Sequence, residues 1–143
     1  MKKPQSFLLV TLALLFLAGC GSEERKFEFT KTEVFPMLID SASGQWEINI
    51  PVIVKGYSEN RDGESYVRKV MFSVDLVTPS GENVPNVFEE LDAATEDESK
   101  PDTRMDVQIN LMNAEAGEYT AKITVTDQFN NKKITKDQKF KVK

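Results

Sequence analysis

The sequence predicts an all-β protein built as an antiparallel sandwich of about seven strands. Apolar side chains alternate with polar ones in several short segments, and turn-forming residues separate those segments at short spacing. No long amphipathic helix follows residue 20. Strands of this kind form two-layer structures, because each sheet has one apolar face that must be buried.

The first twenty residues have a different pattern, typical of an export signal. Lys2 and Lys3 precede an apolar run from Phe7 to Ala18. These residues would rise about 18 Å as a helix, which is shorter than the roughly 30 Å hydrocarbon core of a bilayer. We therefore expect residues 1–19 to be a cleaved signal helix and not a transmembrane span.

The residues that end this run, Leu17-Ala18-Gly19-Cys20, resemble the lipobox of bacterial lipoproteins. The resemblance implies cleavage before Cys20 and a diacylglycerol on its thiol, so that residues 20–26 form a lipidated tether. Two or three acyl chains would hold the protein stably at a membrane. Gly21 in place of aspartate implies the outer membrane in a Gram-negative cell, and otherwise the outer face of the cytoplasmic membrane. The alternative is a secreted protein with one unpaired thiol.

The domain at residues 27–143 begins with three predicted strands. Phe27 and Phe29 alternate with polar residues, and the alternation slips near residues 31–35, which indicates either a bulge or a switch of face. A polar loop at Ser58–Ser65 separates the second strand from the third. Apolar residues of one parity define these two strands: Trp46, Ile48, Ile50, Val52 and Val54 in the second, and Val70, Phe72, Val74 and Leu76 in the third.

Residues 82–103 have the least regular pattern, for which we expect a short edge strand and then a helical turn. Seven acidic residues and one lysine lie between Glu89 and Asp102. Such a run is typical of a solvated loop. It could also hold Ca²⁺, which prefers six to eight oxygen ligands, although its spacing fits no ordered Ca²⁺ loop.

Three further strands follow, and they end the domain with a hairpin. They are predicted at residues 107–111, 119–125 and 134–142, with a turn at Asn130-Asn131 between the last two. Lysines at positions 133, 139, 141 and 143 take the outward parity of the last strand. Lysines on a terminal strand discourage pairing between sheet edges.

The segment Glu115-Ala116-Gly117-Glu118-Tyr119-Thr120-Ala121 resembles the turn and strand that close immunoglobulin-like domains. The resemblance implies an immunoglobulin-like sandwich in which Tyr119 forms a tyrosine corner after Gly117, its hydroxyl bonding to backbone upstream. Ala121 stands where antibody domains have a cysteine. A tyrosine in an ordinary hairpin is the alternative. Trp46 shares the parity of its apolar neighbours, which favours a core position over a ligand-stacking role.

Composition limits the possible functions. The net charge is −5 for the whole chain, and it becomes −7 once residues 1–19 with Lys2 and Lys3 are removed, so an affinity for nucleic acid is not expected. The chain has no histidine to activate a hydroxyl or to bind a metal, and no phosphate-binding loop.

We therefore predict a membrane-anchored lipoprotein that acts as a non-catalytic binding or structural module in the cell envelope. It would need no cofactor, and its partner would be another envelope protein. One alternative is a small-ligand or Ca²⁺-binding module that uses the acidic loop 89–102. A hydrolase is a second alternative, with loop serines but without a base to activate them.

Overall fold

The computed structural model describes residues 25–143, which form two antiparallel β-sheets and contain no helix. The predicted all-β sandwich is confirmed. The predicted signal helix lies outside the described residues. The strands are β1 (Glu28–Thr32), β2 (Phe35–Asp40), β3 (Gln45–Lys55), β4 (Asn60–Asp62), β5 (Ser65–Val77), β6 (Asn83–Glu96), β7 (Asp102–Leu111), β8 (Gly117–Asp127) and β9 (Lys133–Val142).

The first sheet is three strands wide and the second is four strands wide. In the first sheet, β3 pairs with β7 on one side, and on the other side with β1 and β2, which follow one another along the same edge. In the second sheet the order is β6, β5, β8, β9, and the short β4 pairs with the start of β5. These seven positions correspond to the predicted number of strands.

The core lies between the inner faces of the two sheets. Residues of alternating parity on β3, β5 and β8 are fully buried, among them Ile50, Phe72 and Ile123. Burying one such side chain stabilises a fold by about 1.5–3 kcal/mol. The chain contains one cysteine, so no intrachain disulfide is possible, and this packing holds the sheets together.

Of the two alternatives predicted near residues 31–35, a bulge is present, and it begins slightly earlier in the first strand. The register of β1 against β3 shifts between Phe29 and Lys31, and pairing resumes at β2 after residues 33–34. β2 continues past Pro36 to Asp40, further than predicted, and exposes about half of Met37 and Leu38. Pro36 is tolerated because β2 is an edge strand, where one side of the backbone needs no partner.

The prediction of an acidic loop over residues 89–102 is wrong for its first part. Glu89–Glu96 continue β6, which pairs with β5 from Tyr66 to Val77. Neither the predicted helical turn nor a long loop is present, and only residues 97–101 connect β6 to β7. The reason is that an edge strand exposes much of its surface, so its residues need not alternate between apolar and polar to pair.

The strands all run between two ends of the sandwich, which we call the entry pole and the far pole. The entry pole is where the described chain begins, and it contains residues 56–59, 97–101 and 128–132. The far pole contains the turns at residues 41–44, 78–82 and 112–116. The eleven residues of β3 connect the poles, so the poles are about 35 Å apart.

Candidate functional site

The far pole contains a groove of about 450 Å³ between the β5–β6 turn and the β7–β8 loop. Its floor is buried and its rim is exposed. A concave apolar surface with a few polar groups is the usual form of a binding site. The groove is lined by Leu76, Thr78, Glu82, Val84, Val87, Ile109, Asn110, Leu111, Met112, Asn113, Ala114, Glu115 and Tyr119.

Backbone hydrogen bonds fix both walls of this groove. In the β5–β6 turn, the amide of Thr78 donates to the carbonyl of Glu82 and the amide of Gly81 donates to that of Thr78, both at 2.9 Å. In the β7–β8 loop, the amide of Ala114 donates to the carbonyl of Gly44 at 3.0 Å. The groove is therefore preformed, which lowers the entropy cost of binding.

The groove combines an apolar floor with charged groups on its rim. Its floor is apolar, with Leu76 and Ile109 buried, while Met112 on the rim is 60% exposed. Two exposed carboxylates, Glu82 and Glu115, lie on the rim. The chain has no histidine that could activate a hydroxyl. The arrangement can accept an apolar group that has a positive charge beside it.

Tyr119 lies at the bottom of the groove with its ring buried against the core. The ring stacks on Phe140 with centroids 5.4 Å apart. Burial raises the pKa of the hydroxyl, and a backbone hydrogen bond to Glu115, four residues upstream, acts in the opposite direction. The tyrosine corner at Tyr119 stays a prediction, and the buried ring and the contact with Glu115 are compatible with it.

Gly117 begins β8 beside this corner, where a side chain would not fit. Its φ is +141°. A Cβ at this position would lie 2.8 Å from the Cβ of Pro79 in the opposite wall. The glycine therefore allows the β5–β6 turn to approach β8 closely.

Trp46 lies at the same pole, at the start of β3 and outside the groove. It is partly buried and packs against the core, opposite Leu111 of β7 and Leu38 of β2. A position against the core is what its parity predicts.

Cys20, the predicted lipidation site, lies outside the described residues. The chain enters the domain at Arg25 and passes against Gly56, at the end of β3. A Cβ on Gly56, whose φ is +80°, would lie 2.0 Å from the carbonyl oxygen of Lys26. Glycine at this position therefore allows the N-terminal segment to pass close to the backbone at the entry pole.

Sequence reasoning missed the cluster that organises the acidic segment. The guanidinium of Arg68 bridges Asp92 and Glu96, with its Nε 2.8 Å from Oδ2 of Asp92 and Nη1 2.8 Å from Oε1 of Glu96. The Thr103 hydroxyl donates to Asp92 at 2.5 Å. Hydrogen bonding to Arg68 lowers the pKa of Glu96. Two of the acids are therefore bound to an arginine on the neighbouring strand.

A tyrosine and a glutamate form hydrogen bonds with the C-terminal end of the acidic segment, at residues 99–102. The Tyr57 hydroxyl lies 3.0 Å from the carbonyl oxygens of Lys100 and Asp102. Burial raises the pKa of this hydroxyl to about 12. Glu59 accepts hydrogen bonds from the Ser99 hydroxyl and the Lys100 amide. The 97–101 turn is thus tied to the β3–β4 connection.

Asp127, the last residue of β8, is a buried carboxylate that the sequence analysis did not single out. It is 0% exposed. Its Oδ2 accepts a hydrogen bond from the Ser58 amide at 2.7 Å, and its Oδ1 accepts one from the Phe129 amide at 3.0 Å. The signal was present, because Asp127 continues the inward parity of Ile123 and Val125. The carboxylate joins two loops of the entry pole.

The described part of the chain holds no group of three or more cysteine, aspartate or glutamate residues placed to bind a metal. Within residues 25–143 there is also no helix with the length and hydropathy that a membrane crossing requires.

Comparisons with known proteins support the fold alone. No protein-family model and no curated protein matches the sequence. Among solved structures, the chain is similar to a β-glucuronidase from Parabacteroides merdae, with a TM-score of 0.53, 12% identity and 80% of this chain covered. It is also similar to a β-glucuronidase from glycoside hydrolase family 2, with a TM-score of 0.52, 13% identity and 78% coverage. The chain spans only 13% and 11% of those two proteins.

Proposed function

We propose that this protein is a membrane-anchored lipoprotein whose immunoglobulin-like domain binds another envelope protein without catalysing a reaction. The observation that carries the proposal is the preformed groove at the far pole, opposite the pole where the N-terminal chain enters. With Cys20 lipidated, Gly21–Lys26 would extend at most about 20 Å. The entry pole would then lie near the bilayer, and the groove would be directed away from it.

The lining of the groove indicates what it would bind. Its apolar floor suits an aliphatic or aromatic side chain, and the carboxylates of Glu82 and Glu115 suit a neighbouring lysine or arginine. We therefore propose an extended segment of an envelope protein in which an apolar residue is flanked by a basic one. Ser58–Ser65, predicted to be a polar loop, contains β4 and its hairpin turn to β5. This hairpin and the turn at 97–101 lie at the entry pole, so we propose that the contact is in the groove and not in these two segments.

The groove is tested by quantitative pull-down from detergent-solubilised membranes with two substitutions on its rim. Met112→Glu places a charge in the apolar opening, and Glu115→Lys reverses the charge that would attract a basic residue. We expect each to lower recovery of the partner about tenfold, which corresponds to about 1.4 kcal/mol. Both side chains are exposed, so melting temperatures should not change.

Two matched controls keep this test specific. Phe35→Glu alters an apolar residue on β2 that is 49% exposed and lies outside the groove. Glu64→Lys reverses an exposed charge at the entry pole. Both should recover the partner like wild type. Equal losses in the groove variants and the controls would contradict the proposal, and so would substrate turnover by the purified protein.

The anchor is tested separately with Cys20→Ser. We expect the variant to remain uncleaved, or to move into the aqueous phase when membranes are partitioned in detergent. Partner recovery in detergent should be unaffected, because the groove is about 35 Å from the tether. A variant that matures and partitions like wild type would disprove the lipidation of Cys20. This result would not bear on binding in the groove, which the rim substitutions test.

A further inference from the structure

The two edges of the second sheet have opposite charges. The segment at residues 83–98, which contains β6, has six acidic residues and no lysine or arginine. The segment at residues 132–143, which contains β9, has six lysines and one aspartate. β6 and β9 are the outermost strands of the same sheet, with β5 and β8 between them. The sheet is therefore negative along one edge and positive along the other.

In the part of the chain that the structure describes, neither edge strand has a second strand paired to its backbone, and the contacts to the other sheet are through side chains, from Thr103 to Asp92 and from Thr32 to Gln138. β6 pairs with β5 alone, and β9 pairs with β8 alone. Glu89, Glu90, Lys133 and Lys136 are exposed on these strands. An open strand edge has unpaired backbone amides and carbonyls that can pair with another strand.

The directions of the two strands allow them to pair between copies that stand side by side. β6 runs from the far pole to the entry pole, and β9 runs the opposite way. Copies with their entry poles on the same side would therefore present β6 antiparallel to β9. The register across the sheet places four residues in one row: Glu89, Ser73, Thr124 and Thr135. Glu89 of one copy would therefore lie opposite Thr135 of the next copy, whose neighbours on the same face of β9 are Lys133 and Asp137.

We propose that copies of this chain associate side by side, with β6 of one copy against β9 of the next. Two β6 edges repel each other, as do two β9 edges, so only unlike edges can meet. Exposed charge pairs contribute little individually and are screened by salt. The contact is therefore weak in dilute solution, and a high local concentration at a membrane favours it. The proposal uses the proposed anchor only for the common orientation of the copies.

Cross-linking in membranes tests the contact with the full chain. Leu91→Cys on β6 and Thr135→Cys on β9 replace neutral exposed residues on the same face of the sheet. With a short thiol-reactive cross-linker, we expect the double variant to give a ladder of dimers and larger species. Each single variant should stay monomeric, and a chain without an added cysteine controls for Cys20. A dimer from either single variant, or no ladder from the double variant, would overturn the proposal.

Charge reversal in solution tests the same contact without the anchor. The chain from residue 20 with Cys20→Ser keeps all of residues 25–143. At about 10 mM salt, where the Debye length is about 30 Å, its average mass in sedimentation should rise with concentration and return to that of a monomer at about 1 M salt.

Two reversed variants then identify the edges. Lys133→Glu with Lys136→Glu on β9, and Glu89→Lys with Glu90→Lys on β6, should each be monomeric alone, and a mixture of the two should associate again. Lys55→Glu on β3 with Arg61→Glu on β4 makes the same charge change as the β9 variant, at exposed residues on strands that do not pair with β6 or β9, and should behave like wild type. Wild-type protein that is monomeric at every concentration, or a mixture that does not associate, would refute the contact. Neither result would affect the groove or Cys20.

Discussion

Replacing Asp127 with asparagine should strongly destabilise the domain, although the change is nearly isosteric. The carboxylate is fully buried and accepts hydrogen bonds from the amides of Ser58 and Phe129, one on each oxygen. Asparagine has a single side-chain acceptor oxygen, and its NH₂ group would face the second amide. One of the two N–H groups, both in partly buried residues, therefore loses its acceptor, and the remaining hydrogen bond loses its charge.

The magnitude follows from these two losses. A hydrogen bond to a charged group contributes about 1.5–3 kcal/mol, and an unsatisfied buried donor costs about 1–3 kcal/mol. Because the two figures partly describe the same hydrogen bond, we expect a loss of about 2–4 kcal/mol in the free energy of unfolding. For a domain of this size, each kcal/mol lowers the melting temperature by about 3–5 °C.

Urea denaturation of Asp127→Asn beside Asp62→Asn would measure this loss. Asp62 is exposed in the β4–β5 hairpin, so its substitution should change the free energy of unfolding by less than about 0.5 kcal/mol. Amide exchange should quicken at Ser58 and Phe129 in the Asp127 variant. If the two variants have the same midpoint, the buried carboxylate does not hold the entry pole together and the reasoning is wrong.

Three other substitutions test the fold at separate points. Gly56→Ala should lower the free energy of unfolding by at least about 2 kcal/mol, measured by thermal melting, because it adds a steric clash with backbone to an unfavourable φ. Gly63→Ala is the control, with a positive φ but open space around it, and should cost about 1 kcal/mol. Equal losses in the two variants would argue against the clash. Tyr119→Phe should cost about 1–3 kcal/mol and Thr120→Val far less, so a wild-type midpoint for Tyr119→Phe would exclude the corner. Arg68→Met should destabilise the domain above pH 5 and reduce the loss of stability on acidification. The Glu96 carboxyl, whose pKa is lowered in the fold, stabilises the fold above its unfolded pKa of 4.5 and loses that contribution as the pH falls. Parallel profiles of stability against pH for the variant and wild type would contradict this.

Strand positions could be predicted from the sequence wherever a strand buries one face. The parity of Ile48, Ile50, Val52 and Val54 is a local property of the chain, and each of these residues is fully buried. The same parity extends to Asp127, where the residue type argues against burial. Only the fold brings the amides of Ser58 and Phe129 to that carboxylate, so its role could not be predicted from β8 alone.

The acidic segment shows where this reasoning fails. Asp92 and Glu96 have a parity that points inward, and a charged side chain at such a position usually indicates a loop. They are accommodated because Arg68 on the neighbouring strand lies beside both of them. A partner that lies more than twenty residues away is not visible in a local pattern.

Short-range alternation and contiguous motifs are sufficient to predict the sandwich, most of its strands and turns, and a lipidated N-terminus. The position of the chain's entry at the pole opposite the groove, and of the acidic and lysine-rich strands at the two edges of one sheet, follows only from the folded structure. The groove joins residues 76–87 with residues 109–119. These segments meet only because the two sheets pack face to face, and that packing is a property of the whole core.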